Sequence, residues 1–336
     1  MEKVFNISDS TMIYVVCPAN VKTGGTELLH QLVFELNSLN KKARIVYYLE
    51  GKASKQYPTP EEFKKYITDF DFINDVDDSQ DNLIVFPEVC IGKQKKFKKI
   101  QKCVWWLSVD NFLSMCGRIE RLKKYGFNSF AKHIFLNDYV TNNDITSIPV
   151  HLYQSYYAAD FLKNKGIEEN QLFYLSDYIN DVYIEEKSDI EKEDIVIYNP
   201  KKGLEFTKKL IDYDKSIKWV PIENMTNKEV QNLMHRAKVY IDFGNHPGKD
   251  RIPREAALSD CCVITNKRGA ANFAEDNPIM DKYKFEEDDS QIPNIVKAIK
   301  ECIKNYDQVV PEFYNYINII KEEKKEFISC IVNIFD

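Results

Sequence analysis

Short apolar runs alternate with amphipathic stretches along the first half of the chain. The run MIYVVC, which begins at Met12, predicts a buried strand, and leucines at helical spacing predict a helix from Thr26 to about Leu39. Further strands are predicted at 43–49, 83–86, 103–107, 133–136 and 150–153. This alternation indicates an α/β fold in which a parallel sheet lies between two layers of helices.

The same pattern starts again after a charged segment at 184–194, IEEKSDIEKED, which predicts a linker. Strands are predicted at 195–198, 217–222, 239–243 and 261–265, and helices at 204–210, 226–236, 252–259, from about 269, at 289–304 and at 311–334. We therefore expect two doubly wound domains, at 1–183 and 184–310, and a C-terminal helix at 311–336 that crosses back to the first domain.

The composition is that of a globular protein. The chain has 336 residues, of which 44% are hydrophobic and 29% are charged, and these values exclude wholesale disorder. No apolar run approaches the roughly 20 residues of a membrane span. The N-terminus lacks the basic and apolar regions of a signal peptide, so a cytoplasmic location is predicted.

Charge and cysteine usage narrow the function classes. The net charge is −6, from 46 Lys and Arg against 52 Asp and Glu, which argues against general nucleic-acid binding. Eight cysteines without a C-x-x-C pair predict reduced, buried thiols and no zinc site. The run from Lys93 to Lys99 holds five lysines around one phenylalanine. It predicts either a solvated helix face or a patch that contacts an anionic membrane.

The loop after the first strand of each half carries residues suited to an anion. Gly24 and Gly25 precede the first predicted helix, where free backbone N–H groups can bind phosphate. A tight turn with Thr26 as the helix N-cap is the alternative. The matching loop of the second half holds three residues that suit a phosphate group or are simply solvated: Asn199, Lys201 and Lys202.

A longer segment at 242–257, DFGNHPGKDRIPREAA, leads from a predicted strand into a predicted helix. Its candidate ligand-binding residues are His246, Arg251, Arg254 and Glu255. Arginine forks match phosphate oxygens and a carboxylate suits a pair of ribose hydroxyls, although a structural salt-bridge network would use the same residue types. A further strand–helix junction has small residues that would expose backbone N–H groups: Gly269, Ala270 and Ala271.

Taken together, these segments resemble the retaining nucleotide-sugar glycosyltransferases of GT-B fold, in particular the large family numbered four. That family has a glycine loop after its first strand, a Lys-Gly turn, and a loop of the form E-G-F-G-x-P-x-x-E-A before a P-V-I strand and a Gly-Gly helix start. The corresponding residues here are Gly24-Gly25, Lys202-Gly203, Gly248, Glu255-Ala256, Cys262-Val263-Ile264 and Gly269-Ala270. The resemblance is motif-level from about 195 to 275.

Two charged residues of the family pattern are missing. The first glutamate of the E-x7-E pair falls on Pro247, and the arginine five residues before the Lys-Gly lysine falls on Ile197. The sequence therefore resembles a divergent branch, in which Arg251 or Arg254 would replace the missing cation.

The resemblance implies a two-domain enzyme whose domains face a cleft, with the donor on the second domain and the acceptor on the first. It implies that Glu255 binds the ribose and that Lys202, with an arginine, stabilises the departing diphosphate without a metal or other cofactor. The remaining implied donor contacts are Gly24, Gly25, Asn199, Lys201, Gly269, Ala270 and Ala271. His246 is a further candidate for the catalytic site, and Asp110 and His133 are candidates for the acceptor side.

The implied reaction is retaining transfer of a sugar to a glycan or lipid-linked acceptor during surface polysaccharide synthesis. Two alternatives share the fold: a non-catalytic subunit that binds a partner enzyme, and a nucleotide-sugar epimerase. A dinucleotide dehydrogenase is disfavoured because no G-x-G-x-x-G follows the first strand of either half.

Overall fold

A computed structural model describes residues 3–49, 53–117, 122–123, 126–128, 140–180, 182–185 and 190–336. The chain forms two compact units, of which the first comprises Met1–Asp177 with Glu326–Asp336 and the second comprises Tyr178–Lys325. The division before Tyr178 precedes the expected boundary at 184, and the residues at 311–325 belong to the second unit. The charged segment at 184–194 is not a plain linker, because Glu193 and Asp194 already lie in a strand.

The first unit is built on a seven-stranded sheet whose pairings are all parallel. Its strands are β1 (Met12–Pro18), β2 (Lys42–Tyr48), β3 (Phe70–Phe72), β4 (Leu83–Pro87), β5 (Gln101–Trp106), β6 (Val150–Tyr153) and β7 (Leu172–Tyr174). The order across the sheet is β3-β2-β1-β4-β5-β6-β7, so the direction of winding reverses between β1 and β4. The strand predicted at 133–136 lies outside the described residues.

Helices and 3-10 turns connect these strands. The helices of the first unit are α1 (Gly24–Ser38), α2 (Val109–Cys116), α3 (Asn142–Thr146) and α4 (Tyr156–Asn164). The 3-10 segments are Glu61–Tyr66, Glu88–Lys96 and Glu169–Gln171. Thr23 caps α1, since its hydroxyl accepts from the N–H of Thr26 while the hydroxyl of Thr26 accepts from the N–H of Thr23. The helix therefore begins before Thr26, which is not its N-cap.

The second unit has a five-stranded parallel sheet. Its strands are β8 (Glu193–Tyr198), β9 (Lys218–Pro221), β10 (Ala237–Asp242), β11 (Cys262–Asn266) and β12 (Lys284–Phe285). The order is β12-β11-β10-β8-β9, so the reversal in this unit lies between β8 and β10.

The helices of this part of the chain are α5 (Val182–Glu185), α6 (Leu204–Tyr213), α7 (Asn227–Arg236), α8 (Arg251–Leu258), α9 (Ile292–Lys304), α10 (Tyr306–Val309) and α11 (Tyr314–Phe335). Its 3-10 segments are Gly269–Asn272, Asp281–Tyr283, Asp289–Gln291 and Val310–Phe313. The helix predicted from about 269 is therefore only a short 3-10 turn. The last residues of α11, from Glu326, belong to the first unit.

Both sheets are buried between their helices. In the first unit Trp105 and Trp106 are fully buried, and their indole N–H groups donate to Leu175 O at 2.8 Å and to His151 Nδ1 at 3.0 Å. In the second unit α9 places apolar side chains on one face at helical spacing: Ile292, Ile295, Val296, Ile299 and Cys302. No described helix combines the length and the apolar character needed to cross a membrane.

All eight cysteines are reduced thiols, and seven of them are buried. The expectation of reduced, buried cysteines is confirmed. Even at Cys330, which is only half-buried, burial raises the pKa of the thiol to about 11, which keeps it protonated and unreactive at neutral pH.

Candidate functional site

The strongest candidate site lies where the second sheet reverses direction. The loop after β8 contains Lys202 and Gly203, and the loop after β10 runs from Phe243 to Asp250. In open α/β sheets the crevice at such a reversal, beyond the carboxyl ends of the strands, is the usual ligand position. The fold therefore places the motif residues of two separate chain segments at one point of this unit.

Three glycines allow these loops to touch through their backbones. A Cβ atom at Gly203, where φ is +58°, would lie 2.1 Å from the carbonyl oxygen of Phe243. At Gly244 it would lie 2.5 Å from Cβ of Lys202, and at Gly269, where φ is +52°, it would lie 2.1 Å from the carbonyl oxygen of His246. No side chain fits at these positions, so the loops after β8, β10 and β11 form one packed base for the site.

A cluster of charged side chains stands on this base. Nζ of Lys202 lies 2.8 Å from Oδ2 of Asp250, and the same carboxylate oxygen lies 2.9 Å from Nδ1 of His246. The other ring nitrogen of His246 faces Asp242 at 3.8 Å. Asp242 in turn accepts hydrogen bonds from the Tyr240 hydroxyl and the Gly244 N–H, at 2.8 and 3.0 Å. The cluster is therefore held in place from the core side.

The two carboxylates change the protonation of the histidine between them. Burial by itself lowers the pKa of His246, but the contact with Asp250 and the charges of both aspartates outweigh it and raise the pKa. Burial raises the pKa of Asp250, but His246 and Lys202 together bring it below its usual range. A protonated His246 and an ionised Asp250 therefore stabilise one another.

Asp242, His246 and Asp250 are also the group of described residues whose ligand atoms come close enough to hold a metal ion, all within 4.8 Å of one another. Two features fit a metal poorly. The two ring nitrogens of His246 face different carboxylates, and the ammonium group of Lys202 already lies against Asp250. These three side chains thus suit a site in which the positive charge comes from His246 and Lys202 and not from a metal ion.

The structure corrects the role expected for Arg254. Its side chain is 1% exposed, and Nη1 lies 2.7 Å from Oε2 of Glu323 on α11. Lys249 binds the other oxygen of the same carboxylate at 3.0 Å. The guanidinium also donates to the backbone carbonyls of Lys249 and Asp250. Arg254 is therefore part of a buried ion-pair network that secures α8, and it does not face a ligand.

Arg251 and Glu255 lie one turn apart on α8, with Nε of Arg251 3.7 Å from Oε1 of Glu255. Their side chains are 23% and 11% exposed. Both remain candidates for contacts with the nucleotide-sugar donor. Arg251 is the arginine of this helix that retains some access to solvent.

Three expected contacts have other roles in the structure. The N–H of Ala270 donates to the carbonyl of His246 at 2.8 Å, and the N–H of Ala271 donates to that of Arg268 at 3.1 Å, so neither can bind an anion. The side chain of Asn199 accepts from the N–H of Lys201 at 3.0 Å and shapes the turn after β8. Lys201 is exposed beside this turn.

The first unit presents Gly24 and Gly25 as the first two residues of α1, with Gly24 exposed. A Cβ at Gly25 would meet Leu107 at an ordinary 3.6 Å, so this glycine is not required for packing. Asp110, in the first turn of α2, accepts a hydrogen bond from the Tyr157 hydroxyl at 3.2 Å. His133 lies outside the described residues, so its expected acceptor role stays a prediction.

Four of the five lysines in the run from Lys93 to Lys99 are exposed, and Lys93 is half-buried. Nζ of Lys95 lies 2.9 Å from Asp144, and that of Lys93 lies 4.3 Å from the centre of the Tyr48 ring. Lys96 binds the carbonyl of Ile73. These intramolecular contacts occupy three of the five lysines, so the expected membrane contact stays a prediction without structural support.

Glu88 is a buried carboxyl group that the sequence pattern did not reveal. It follows β4 at the reversal of the first sheet, is 3% exposed, and accepts from the N–H of Leu107 at 3.0 Å. Burial raises its pKa to about 7, although neighbouring backbone N–H groups oppose the shift. Only the pairing of β4 with β5 brings these groups together, which no local pattern encodes.

We expect Glu88→Gln to remove a pH dependence of stability. Because the pKa of Glu88 is higher in the folded chain than in the unfolded one, its stabilising effect is complete below about 4.5 and is lost as the pH rises through about 7. The free energy of unfolding should be measured with urea at pH 5 and pH 8.5. Between these two pH values it should fall by about 2–3 kcal/mol less in the variant than in the parent. Glu169→Gln, at a side chain 87% exposed, is the control. Equal pH slopes for all three proteins would contradict the assignment.

Comparison with known proteins identifies the fold. No family model matches the sequence, and no curated protein does. Among solved structures, sucrose-phosphate synthase from Thermosynechococcus elongatus matches 97% of this chain and 98% of its own, at 10% identity and a TM-score of 0.67. Anabaena HepE in complex with UDP-glucose matches 96% and 97%, at 10% identity and a TM-score of 0.60.

TarM from S. aureus, in complex with fondaparinux, alpha-GlcNAc-glycerol and UDP, matches 79% of this chain at 16% identity and a TM-score of 0.55. The chain spans only 57% of the length of that TarM chain. The expected fold class, α/β with two doubly wound units of GT-B type, is confirmed.

Proposed function

We propose that this chain is a glycosyltransferase that moves a sugar from a nucleoside-diphosphate sugar to a glycan or lipid-linked acceptor. The observation that carries the proposal is the position of Lys202. It stands at the reversal of the second sheet, on a turn whose glycine packs directly against the loop after β10. HepE and TarM, whose solved structures contain UDP or UDP-glucose, have the same fold and support this donor class.

The same turn offers more than one group to a diphosphate. Gly203 is the N-cap of α6 and has no side chain to cap the helix, so the first N–H groups of α6 are left for another partner. An ammonium group beside an uncapped helix N-terminus is an arrangement that binds phosphate. Lys202 would stabilise the charge that develops on the departing diphosphate, and Glu255 would accept hydrogen bonds from the ribose hydroxyls.

We propose that the reaction needs no metal, because Lys202 and the start of α6 supply positive charge where the diphosphate would sit. Retention of configuration rests on the resemblance of the segment at about 195–275 to the retaining family. The role in surface polysaccharide synthesis and a cytoplasmic location, where nucleotide sugars are made, belong to the same proposal.

A non-catalytic GT-B subunit is the second candidate. It is favoured by the burial of Arg254 against Glu323, which leaves the site without one of the two arginines expected to replace the family's missing cation. Such a subunit would bind a partner glycosyltransferase and would not consume a donor.

A thermal-shift screen with UDP, GDP, CDP, ADP and dTDP, each with EDTA and with magnesium, tests the donor site. We expect one diphosphate to raise the melting temperature equally under both conditions, since ligand that binds only the native state stabilises it. Lys202→Ala should weaken binding of that diphosphate by about tenfold to a hundredfold, the value of a charge-assisted contact. Binding of the corresponding nucleoside should not change.

Lys208→Ala is the matched control, because Lys208 is an exposed lysine on α6 that is not among the expected donor contacts. This variant should bind the same diphosphate with an affinity within about twofold of that of the parent, as is usual for the loss of a solvated surface charge. The absence of a shift with all five nucleotides would count against the transferase and favour the non-catalytic subunit. A shift that requires magnesium would contradict the metal-free part of the proposal.

A further inference from the structure

Asp250 holds an unusual position between the two cationic side chains of the site. A single oxygen, Oδ2, lies 2.8 Å from Nζ of Lys202 and 2.9 Å from Nδ1 of His246. Asp250 is also the N-cap residue of α8, but its side chain makes no capping hydrogen bond to that helix. Aspartate is a favoured capping residue, so the carboxylate is here directed to the two cations instead.

Access to the three side chains decreases toward the interior. Lys202 is 31% exposed, Asp250 is 16% exposed and His246 is 3% exposed. A ligand that arrives from solvent therefore meets the ammonium group first, and the Asp250 carboxylate already occupies one side of it. An anion that binds Lys202 must share that group with Asp250 or displace its carboxylate.

His246 offers Asp250 an alternative partner. The other ring nitrogen faces Asp242 at 3.8 Å, which is beyond hydrogen-bond distance, and the two aspartates together favour the protonated form of the ring. When an anion takes Lys202, the Asp250 carboxylate can keep its contact with His246. The exchange therefore leaves neither aspartate as a buried charge without a cation, which would otherwise be costly.

We propose that Asp250 competes with the donor diphosphate for Lys202, and that its carboxylate thereby determines donor affinity. In the empty protein the carboxylate substitutes for a phosphate oxygen, and on binding the diphosphate takes its place while Asp250 pairs with His246 alone. This inference rests on the proposed function, and it identifies Asp250 as an affinity-determining residue of the same site. Removal of its negative charge should strengthen binding, which is the opposite of the usual effect of substitution in a binding site.

Isothermal titration with UDP, inorganic pyrophosphate and uridine, in low salt at pH 7.5, tests this competition. Asp250→Asn keeps the size of the side chain and a carbonyl oxygen for His246 and Lys202, but removes the charge. We expect it to bind UDP and pyrophosphate about threefold to fivefold more tightly than the parent, because the anion no longer has to displace Asp250 from a partly exposed ion pair with Lys202. Affinity for uridine should stay within about twofold.

A double-variant comparison connects the gain to Lys202. If the two groups compete, Asp250→Asn should give no gain in affinity in the Lys202→Ala background, since the contested cation is absent. If Asp250→Asn does not fold, as judged by circular dichroism, Asp250→Ser provides the same charge removal.

The outcomes separate the inference from the proposed function. In one outcome the parent binds UDP through Lys202, but the variant without the Asp250 charge binds UDP and pyrophosphate equally or more weakly. That result overturns only the competition, and Asp250 would then be a residue that positions Lys202. A gain that persists without Lys202 also overturns it. If neither the parent nor the variant binds UDP, pyrophosphate or any diphosphate of the screen, the proposed donor site fails together with this inference.

Discussion

Replacement of Gly203 with alanine is expected to lower the free energy of unfolding of the second unit by about 2–4 kcal/mol and to abolish nucleotide binding. The backbone at Gly203 has a φ of +58°, and an added Cβ would lie 2.1 Å from the carbonyl oxygen and 2.3 Å from the carbonyl carbon of Phe243. The opposing atoms are backbone, so they cannot rotate away. The loop that carries Lys202 would have to separate from the loop after β10.

Gly166→Ala is the matched control for this prediction. Gly166 also has a positive φ, +88°, but no atom lies within 4 Å of an added Cβ. Gly166→Ala should therefore lower the free energy of unfolding only by the cost of an alanine in the left-handed backbone conformation, about 1 kcal/mol. Urea unfolding followed by circular dichroism and tryptophan fluorescence measures both variants. Equal losses for Gly203→Ala and Gly166→Ala would contradict the close contact between the two loops.

Glu323→Ala is expected to lower the free energy of unfolding by about 3–5 kcal/mol. The Glu323 carboxylate is 1% exposed and is shared by Arg254 at 2.7 Å and Lys249 at 3.0 Å. Its removal would leave two buried cations without this partner, and the loss of a counter-charge in the interior costs more than the pair itself contributes. Because Lys249 lies in the loop that holds Asp250 and Arg254 donates to the Asp250 carbonyl, nucleotide affinity should fall as well.

Glu322→Ala, one residue earlier on α11, is the control, since its side chain is 70% exposed and should cost less than about 1 kcal/mol. A triple variant, Lys249→Met, Arg254→Met and Glu323→Leu, should recover most of the stability, because apolar side chains of similar size can replace a buried ion-pair network. If Glu323→Ala costs no more than Glu322→Ala, the network does not stabilise α8.

Elements with strong local patterns could be predicted from the sequence. The strand at Val150–Tyr153 has the predicted bounds, and the helix predicted at 226–236 begins at Asn227 behind its cap Thr226. The strands β3, β7 and β12 were not predicted. Each has at most three residues, too few for an apolar period to stand out from the surrounding loop.

The candidate site was predictable in part. The Lys-Gly turn and the loop at 242–257 could be identified because strand ends followed by glycine and basic residues are a local pattern. The sequence did not show which individual side chains of these segments can reach a ligand. Arg254 and Arg251 look equivalent in the sequence, yet Glu323, far along the chain, buries only the first in an ion pair.

The alternation of strands and helices, the two α/β halves, the reduced cysteines and the segments suited to a ligand could thus be predicted from local sequence alone. These follow from periodicity and from residue chemistry within a few positions of the chain. Which charged and polar groups can reach a ligand depends instead on the folded arrangement of the chain. Asp250 meets Lys202, Ala270 gives its N–H to His246, and Glu88 accepts from Leu107 because parallel strands bring the ends of distant segments together. The burial of a side chain and its interaction partners set its protonation state and its access to a ligand. Both depend on those long-range pairings and not on neighbours in sequence.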